Sequence, residues 1–123
     1  MARYRLSGPA KVDVSFILRT SEAQHGREAR SRYRGLLSAT MRRVAAEPHG
    51  PLTQARGELL AGLRSLHMRH CRKESREGPV AEPVHVLYYR VVEPGLIEIV
   101  RVLHDRMEPS RQLSAYTSTP GSR

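Results

Sequence analysis

Apolar residues between positions 29 and 45 recur at intervals of three and four along the chain. This is the period of one face of an α-helix, and most of the arginines in the segment fall off that face. Pro48 and Pro51 follow, and proline lacks a backbone donor and disfavours helical geometry in the residue before it. The pattern therefore predicts an amphipathic helix that ends before Pro48.

The N-terminal pattern is locally ambiguous. Residues 3–6 alternate like a short strand, whereas residues 12–18 fit both the alternating period of a strand and the spacing of a helix. Ser7 is a suitable helix cap, and Pro9 suits a first helical turn. We therefore predict a short strand and then a helix, which meets the second helix near Gly26 in an αα-hairpin.

Three apolar runs follow, at residues 63–70, 84–92 and 96–103. Their length and their content of Val, Ile, Leu and Tyr predict strands, and the Glu-Pro-Gly turn at 93–95 joins the last two in an antiparallel hairpin. The polar loop at 69–83 is long for a hairpin connection, and we expect it to be mobile.

The predicted order is β-α-α-β-β-β, an antiparallel sheet with an αα-hairpin packed on one face, which is an α+β fold. The length of 123 residues suits one domain, placed at residues 1–113. Residues 114–123 are rich in Ser, Thr, Pro and Gly, and we predict a disordered tail there.

Composition adds a strong positive charge, +9 at pH 7. Such a surface suits a polyanion or an acidic protein, and since all but two of the 21 basic residues are arginine, GC-rich coding also explains part of the bias. A solvated or protein-facing basic surface is favoured over nucleic acid as the direct ligand. The lone Cys71, the lack of an apolar leader and the lack of a run of about 20 apolar residues predict a cytoplasmic protein without a membrane segment.

One C-terminal motif is specific. Residues 99–107 read IVRVLHDRM, a hydrophobic strand followed by Arg-x-Leu-His-x-x-Met, and Arg111 comes four residues after the methionine. With the segments at 62–66 and 86–91, this motif resembles the ParE toxins of the RelE/ParE superfamily. The N-terminal half agrees in outline through Tyr4-Arg5-Leu6-Ser7, Ala10, Asp13, Ala29, Tyr33 and Pro48. The resemblance covers residues 3–113, and the long loop at 69–83 departs from it.

The resemblance implies the toxin component of a type II toxin–antitoxin system, of the kind that stabilises plasmids or chromosomes. It implies neutralisation by a ParD-like antitoxin whose C-terminal segment wraps around the toxin, in a heterotetramer or larger hetero-oligomer. It also implies inhibition of DNA gyrase by binding, without a cofactor, and contact with operator DNA only through the antitoxin.

Candidate binding residues follow from the motif and from the apolar stripe of the second helix. The target-binding candidates are His104, Asp105, Arg106, Met107 and Arg111. The antitoxin-binding candidates are Tyr33, Leu37, Met41, Arg30, Arg34 and Arg90. For Arg90, a salt bridge with Glu98 across the hairpin is an equal alternative.

The alternative function is a ribosome-dependent messenger endoribonuclease of the RelE branch. That chemistry needs basic side chains around a phosphate and a proton-transfer group. The available residues are Arg64, Arg90, Arg101, His85 and His104. A tyrosine at the end of the last strand is missing, since Tyr116 lies in the predicted tail, so binding without catalysis is favoured.

His67, His70, Cys71 and His85 carry the side chains that zinc prefers. Their spacing matches no established zinc template, and His67 and His70 would point to opposite faces of a strand. We therefore predict no metal.

Overall fold

The computed structural model describes residues 2–117. Its elements are, in order, β1 (Arg3–Leu6), α1 (Gly8–His25), α2 (Arg27–Ala46), β2 (Gln54–Ala55), β3 (Arg64–His67), a 3-10 turn (Met68–Cys71), β4 (His85–Glu93), β5 (Leu96–His104) and α3 (Pro109–Thr117). The predicted α+β fold, with an αα-hairpin against a sheet, is confirmed. Among the residues described, no helix is long and apolar enough to cross a membrane.

The ambiguous segment after β1 is helical because its first turn is capped. The Ser7 hydroxyl accepts a hydrogen bond from the Ala10 N–H at 3.0 Å and donates one to the Val100 carbonyl at 2.7 Å. The same side chain thus satisfies a free donor of α1 and attaches the helix to β5. The helix ends at Gly26, whose φ of 92° lies in the region that favours glycine.

Helix α2 buries the face that the spacing predicts. Tyr33, Leu36, Leu37, Met41 and Val44 each keep less than a tenth of their surface exposed and pack between the helix and the sheet. The helix stops at Ala46, two residues before Pro48. Burial of this stripe is the main hydrophobic contribution of the hairpin to stability.

The sheet has the strand order β1-β5-β4-β3-β2. The pairs β2·β3, β3·β4 and β4·β5 are antiparallel, whereas β1 pairs with β5 in parallel. The sheet is therefore mixed, and the expectation of a fully antiparallel sheet was wrong for β1. A tight turn forces antiparallel pairing only on consecutive strands, and nearly the whole chain lies between β1 and β5.

The third predicted strand is shorter than the apolar run that suggested it. β3 ends at His67, and residues 68–71 form a 3-10 turn in which Met68 and Cys71 are buried. The following loop contacts α2, through an ion pair between Arg43 and Glu74 at 2.8 Å. The loop that we expected to be mobile is thus packed against α2.

Two cores lie on opposite faces of the sheet, because neighbouring residues of a strand point to opposite sides. The larger core includes Leu87 and Tyr89 and faces the helices, and the smaller one includes Tyr88, Val100 and Leu113. Leu113 belongs to α3, which covers part of the second face. α3 extends through residues 114–117, the start of the predicted disordered tail, and residues 118–123 lie outside the described part of the chain.

Candidate functional site

A groove of about 620 Å³ opens between α1, the first turns of α2, the end of the 69–83 loop and the end of β5. We call this space the groove. Its walls include Phe16, Ile17 and Thr20 of α1, Ala29, Arg32 and Tyr33 of α2, Val80 of the loop, and Val84, His85, Arg101, His104 and Met107. Helices, loop and sheet each supply a wall, so the groove exists only in the folded chain.

A tyrosine and a histidine form the polar floor of the groove. The Tyr33 hydroxyl accepts a hydrogen bond from the Val84 N–H at 3.2 Å and lies 2.6 Å from Nδ1 of His85. The tautomer of His85 sets the direction of this bond: with the ring proton on Nε2 the Tyr33 hydroxyl donates to Nδ1, and with the proton on Nδ1 the ring donates to the hydroxyl oxygen. Burial, reinforced by repulsion from His104, lowers the pKa of His85 to about 4. Burial also raises the pKa of Tyr33 to about 12.

Asp13 and Arg101 form a bidentate ion pair in the groove wall. Nε of Arg101 donates to Oδ2 of Asp13 at 2.7 Å, and Nη2 donates to Oδ1 at 2.8 Å. The side chains are only 12% and 15% exposed, and Oδ2 of Asp13 also accepts from the Val102 N–H. The hydrogen bond to Asp13 is the main cause of the raised pKa of Arg101. The pair ties α1 to β5 and neutralises both charges internally.

The rim of the groove is formed where β5 ends. The His67 ring contacts Oδ2 of Asp105 through Nε2 at 3.0 Å and accepts from the Arg69 N–H through Nδ1. The hydrogen bond from His67 is the main cause that lowers the pKa of Asp105. His104 stacks edge-on against His85 with ring centroids 5.5 Å apart. Three histidines and one aspartate thus fix the turn that follows β5.

An apolar ridge runs along the open side of α1. Val12 is 68% exposed and Phe16 is 58% exposed, and residues four apart lie on the same side of a helix. Met107, which is 46% exposed, also lines the groove. Large exposed apolar side chains grouped beside a concave surface are typical of a protein-binding site. The sequence pattern counted Phe16 with the apolar positions of α1 and did not reveal its exposure.

The sequence comparison decides the family. The model of the ParE toxin of the type II toxin–antitoxin system parDE matches residues 4–109. The chain belongs to the ParE toxin family. Toxin ParE1 of Mycobacterium tuberculosis is 30% identical over 112 residues, covering 91% of this chain and 98% of the relative. Toxin ParE1 of Caulobacter vibrioides is 35% identical over 114 residues, covering 92% and 99%.

A solved structure also has the same fold. A chain of the chromosomal ParDE TA system from P. aeruginosa superposes with a TM-score of 0.61 at 15% identity, covering 85% of this chain and 96% of that chain. This likeness shows the fold, while the family match over residues 4–109 confirms the resemblance to ParE toxins found in the motif at residues 99–107.

The five candidates for ribonuclease chemistry do not form one cluster. Arg101, His85 and His104 line the groove, but Arg101 is bound to Asp13. Arg64 donates to the Pro48 carbonyl and to the Thr53 hydroxyl, and Arg90 pairs with Glu98 across the hairpin. Arg90 lies five residues from His85 along β4, which is roughly 16 Å. Of the two alternatives for Arg90, the salt bridge with Glu98 is present.

The antitoxin-binding candidates lie on several surfaces. Tyr33 lines the groove, whereas Leu37 and Met41 are buried in the larger core. Arg30 pairs with Glu22 of α1, Arg34 points away from the groove, and Arg90 lies near the β4–β5 turn. The role of these residues in antitoxin binding stays a prediction. Of the six candidates, only Tyr33 lines the groove.

The target-binding candidates are contiguous. His104 ends β5, Asp105, Arg106 and Met107 form the turn that follows, and Arg111 lies in the first turn of α3. His104 and Met107 also line the groove, so the predicted target surface and the groove share one border. No spacing rule in the sequence could reveal this overlap, because it depends on how α1 packs against β5.

Proposed function

We propose that this chain is a cytoplasmic toxin that inhibits DNA gyrase by binding, without chemistry of its own, and that a ParD-like antitoxin neutralises it. The family match over residues 4–109 supports the toxin role, and the groove, an open concave surface beside an exposed apolar ridge at Val12 and Phe16, supports neutralisation by a bound protein segment. A partner segment that places apolar side chains against this ridge would remove it from water. An amphipathic helix in a groove is a common mode of such binding.

The shared border between the groove and the turn at residues 104–107 supplies the means of neutralisation. A segment seated in the groove contacts His104 and Met107 and thereby covers part of the predicted target surface. Antitoxin and target then compete for the same residues. The target-binding role of Asp105, Arg106 and Arg111 rests on their position in the same turn and in the first turn of α3.

Binding without catalysis is favoured because the candidate catalytic groups are already engaged. The guanidinium of Arg101 donates to the Asp13 carboxylate and to the Gln112 carbonyl, and His85 is hydrogen-bonded to Tyr33. A His85 pKa of about 4 also makes the ring a weak base at neutral pH.

A supercoiling assay with purified gyrase tests the target. We expect the wild-type chain to block supercoiling and to accumulate cleaved DNA, and we expect Met107→Ala to weaken both effects. Leu52→Ala is the matched control, because Leu52 is similarly exposed at 44% but does not line the groove. Unchanged supercoiling with saturating wild-type chain would overturn gyrase as the target.

A neutralisation assay tests the groove separately. Phe16→Asp is expected to inhibit gyrase like the wild type but to escape a ParD-like antitoxin, since it places a charge in the apolar contact. Full neutralisation of this variant would contradict the groove as the antitoxin site. Cleavage of ribosome-bound message that His85→Gln abolishes would support the ribonuclease alternative instead.

A further inference from the structure

A second concave surface lies on the other side of α2, between this helix and the 69–83 loop, with a volume of about 260 Å³. We call it the basic cleft. It is lined by Ser31, Arg34, Gly35, Ser38 and Arg42 of α2 and by Arg76 and Glu77 of the loop. At 100° per residue, Ser38 and Arg42 point away from the face of α2 that carries Tyr33. The basic cleft is therefore separate from the groove.

The arginines of the basic cleft outnumber its acidic residues, and none of the three forms an ion pair within the described residues. Arg34, Arg42 and Arg76 are exposed, and no side-chain hydrogen bond or ion pair to them is found in residues 2–117. Glu77 is the single acidic residue of the lining. By contrast, Arg30, Arg43 and Arg101 on nearby elements each have a carboxylate partner.

The position of Arg76 is fixed by close packing between the loop and α2. A Cβ atom at Gly35 would overlap the Ser75 hydroxyl, so only glycine lets the loop approach the helix this closely. The Ser75 hydroxyl donates to the Arg32 carbonyl at 2.9 Å and accepts from the Glu77 N–H at 3.3 Å. These contacts hold the backbone at Arg76 beside the part of α2 that carries Arg34 and Arg42.

The chemistry of the lining favours phosphate over a protein segment. No apolar side chain lines the basic cleft, whereas specific protein interfaces depend on buried aromatic or aliphatic anchors. Arginines with serine hydroxyls beside them are the groups that bind nucleic-acid phosphates. Arg34 and Arg42 are eight residues apart on one helix, roughly 12 Å along its axis, so the helix holds two cationic side chains beside the cleft.

We propose that the basic cleft binds the phosphodiester backbone of duplex DNA directly and without sequence preference. Arg34, Arg42 and Arg76 bind the phosphates, and Ser31 and Ser38 add hydroxyl donors. A toxin with this surface contacts DNA while the groove and its rim serve protein partners. The proposal does not depend on gyrase being the target, because the cleft is formed by residues outside the groove.

The test is fluorescence anisotropy of labelled duplex DNA with the purified full chain, in the absence of gyrase. The triple variant Arg34→Ala/Arg42→Ala/Arg76→Ala is expected to bind roughly a hundredfold more weakly at about 0.1 M salt, and the slope of log affinity against log salt should fall by about one per arginine. Its matched control is Lys11→Ala/Arg19→Ala/Arg27→Ala, which removes the same charge from exposed positions outside the cleft.

Equal weakening in the two triple variants would overturn the proposal, because it would show a general charge effect. Gyrase inhibition is measured on the same proteins, so failure of DNA binding and failure of the proposed target are distinguished. Gly35→Ala keeps every charge but displaces the loop, and we expect weaker DNA binding. Gly8→Ala, where a Cβ meets open space, should bind like the wild type.

Two further probes examine the ligand class. The first probe is single-stranded RNA. If the wild-type chain binds this RNA more tightly than duplex DNA, and the cleft variant loses that RNA affinity, the assignment to duplex DNA is overturned. The second probe is oligoglutamate. If the cleft variant binds oligoglutamate more weakly than the wild type but binds duplex DNA equally well, the ligand is an acidic protein segment and the proposal is overturned. Loss of duplex binding alone supports the proposal.

Discussion

The groove and the basic cleft lie on opposite sides of α2, and they differ in whether their charged side chains are paired within the fold. In the groove, Arg101 is paired with Asp13 and burial keeps His85 neutral, while Phe16 is left exposed. In the cleft, no apolar side chain is exposed and the arginines lack carboxylate partners among residues 2–117. Under the two proposals, internal pairing leaves the groove suited to an apolar partner, and unpaired charge leaves the cleft suited to an anion.

The largest expected effect comes from breaking the paired charges of the groove. Arg101→Ala leaves the Asp13 carboxylate 12% exposed and without its partner, so we expect a loss of about 3–5 kcal/mol in unfolding free energy. Arg42→Ala, in the cleft, should change it by about 0.5 kcal/mol or less. Urea denaturation measures both. If both variants lose a similarly small amount of unfolding free energy, the ion pair of the groove adds no more stability than an unpaired arginine of the cleft.

The next effect is a pH dependence that belongs to the groove alone. Since the folded pKa of His85 is about 4 and lies below its unfolded value, the unfolded chain binds the proton more tightly. The stabilisation is complete above the unfolded pKa near 6.5 and is lost as pH falls toward 4. It amounts to about 3 kcal/mol at most.

Comparison with His85→Gln isolates this contribution from the carboxylates, since glutamine keeps an acceptor for the Tyr33 hydroxyl without titrating. The difference between the two unfolding free energies should shrink as the pH is lowered from 7 to 4. A constant difference across that range would contradict a neutral, buried His85.

A smaller effect concerns partner binding at the apolar ridge. Phe16→Ala should weaken binding of a ParD-like antitoxin by about 2 kcal/mol, roughly 30-fold, because a large aromatic side chain loses its contact area. Val91→Ala is the control, because Val91 is 43% exposed and lies near the β4–β5 turn, and this variant should bind normally. Titration calorimetry measures both, and equal affinities would remove the ridge from the interface.

The smallest expected effect tests how the cleft is held. Gly35→Ala should lower the unfolding free energy by about 1 kcal/mol, because the new Cβ displaces the Ser75 hydroxyl from the Arg32 carbonyl. Alanine otherwise favours a helix over glycine, so Gly8→Ala should be neutral or stabilising. A stabilising Gly35→Ala would mean that the loop is not fixed against α2.

Local patterns were sufficient for most of the fold. The spacing of Leu36, Leu37 and Val44 predicted the buried face of α2, and the serine cap with Pro9 resolved the helix at 12–18 in favour of α1. The motif at residues 99–107 predicted the family. These features depend on interactions between residues close together in sequence, so the sequence contains them directly.

The candidate site was predicted only in part, because its geometry depends on long-range packing. The sequence singled out His85, His104 and Arg101, but it could not show that Arg101 is bound by Asp13, 88 residues away. Nor could it show that Leu37 and Met41 are core residues while Phe16 is exposed. An apolar residue on a helix looks the same in sequence whether it meets the sheet or solvent.

The sequence by itself determined the two long helices, the strands β1, β3, β4 and β5, the family and the positive charge, but not β2, the 3-10 turn or α3. The tertiary structure alone decided that β1 runs parallel to β5, that the loop packs on Gly35, and that charges are paired at the groove and unpaired at the cleft. The physical reason is that helices and turns follow from near-neighbour interactions. Surfaces are created where distant segments meet, and Arg34 and Arg76 become neighbours only when the loop reaches α2.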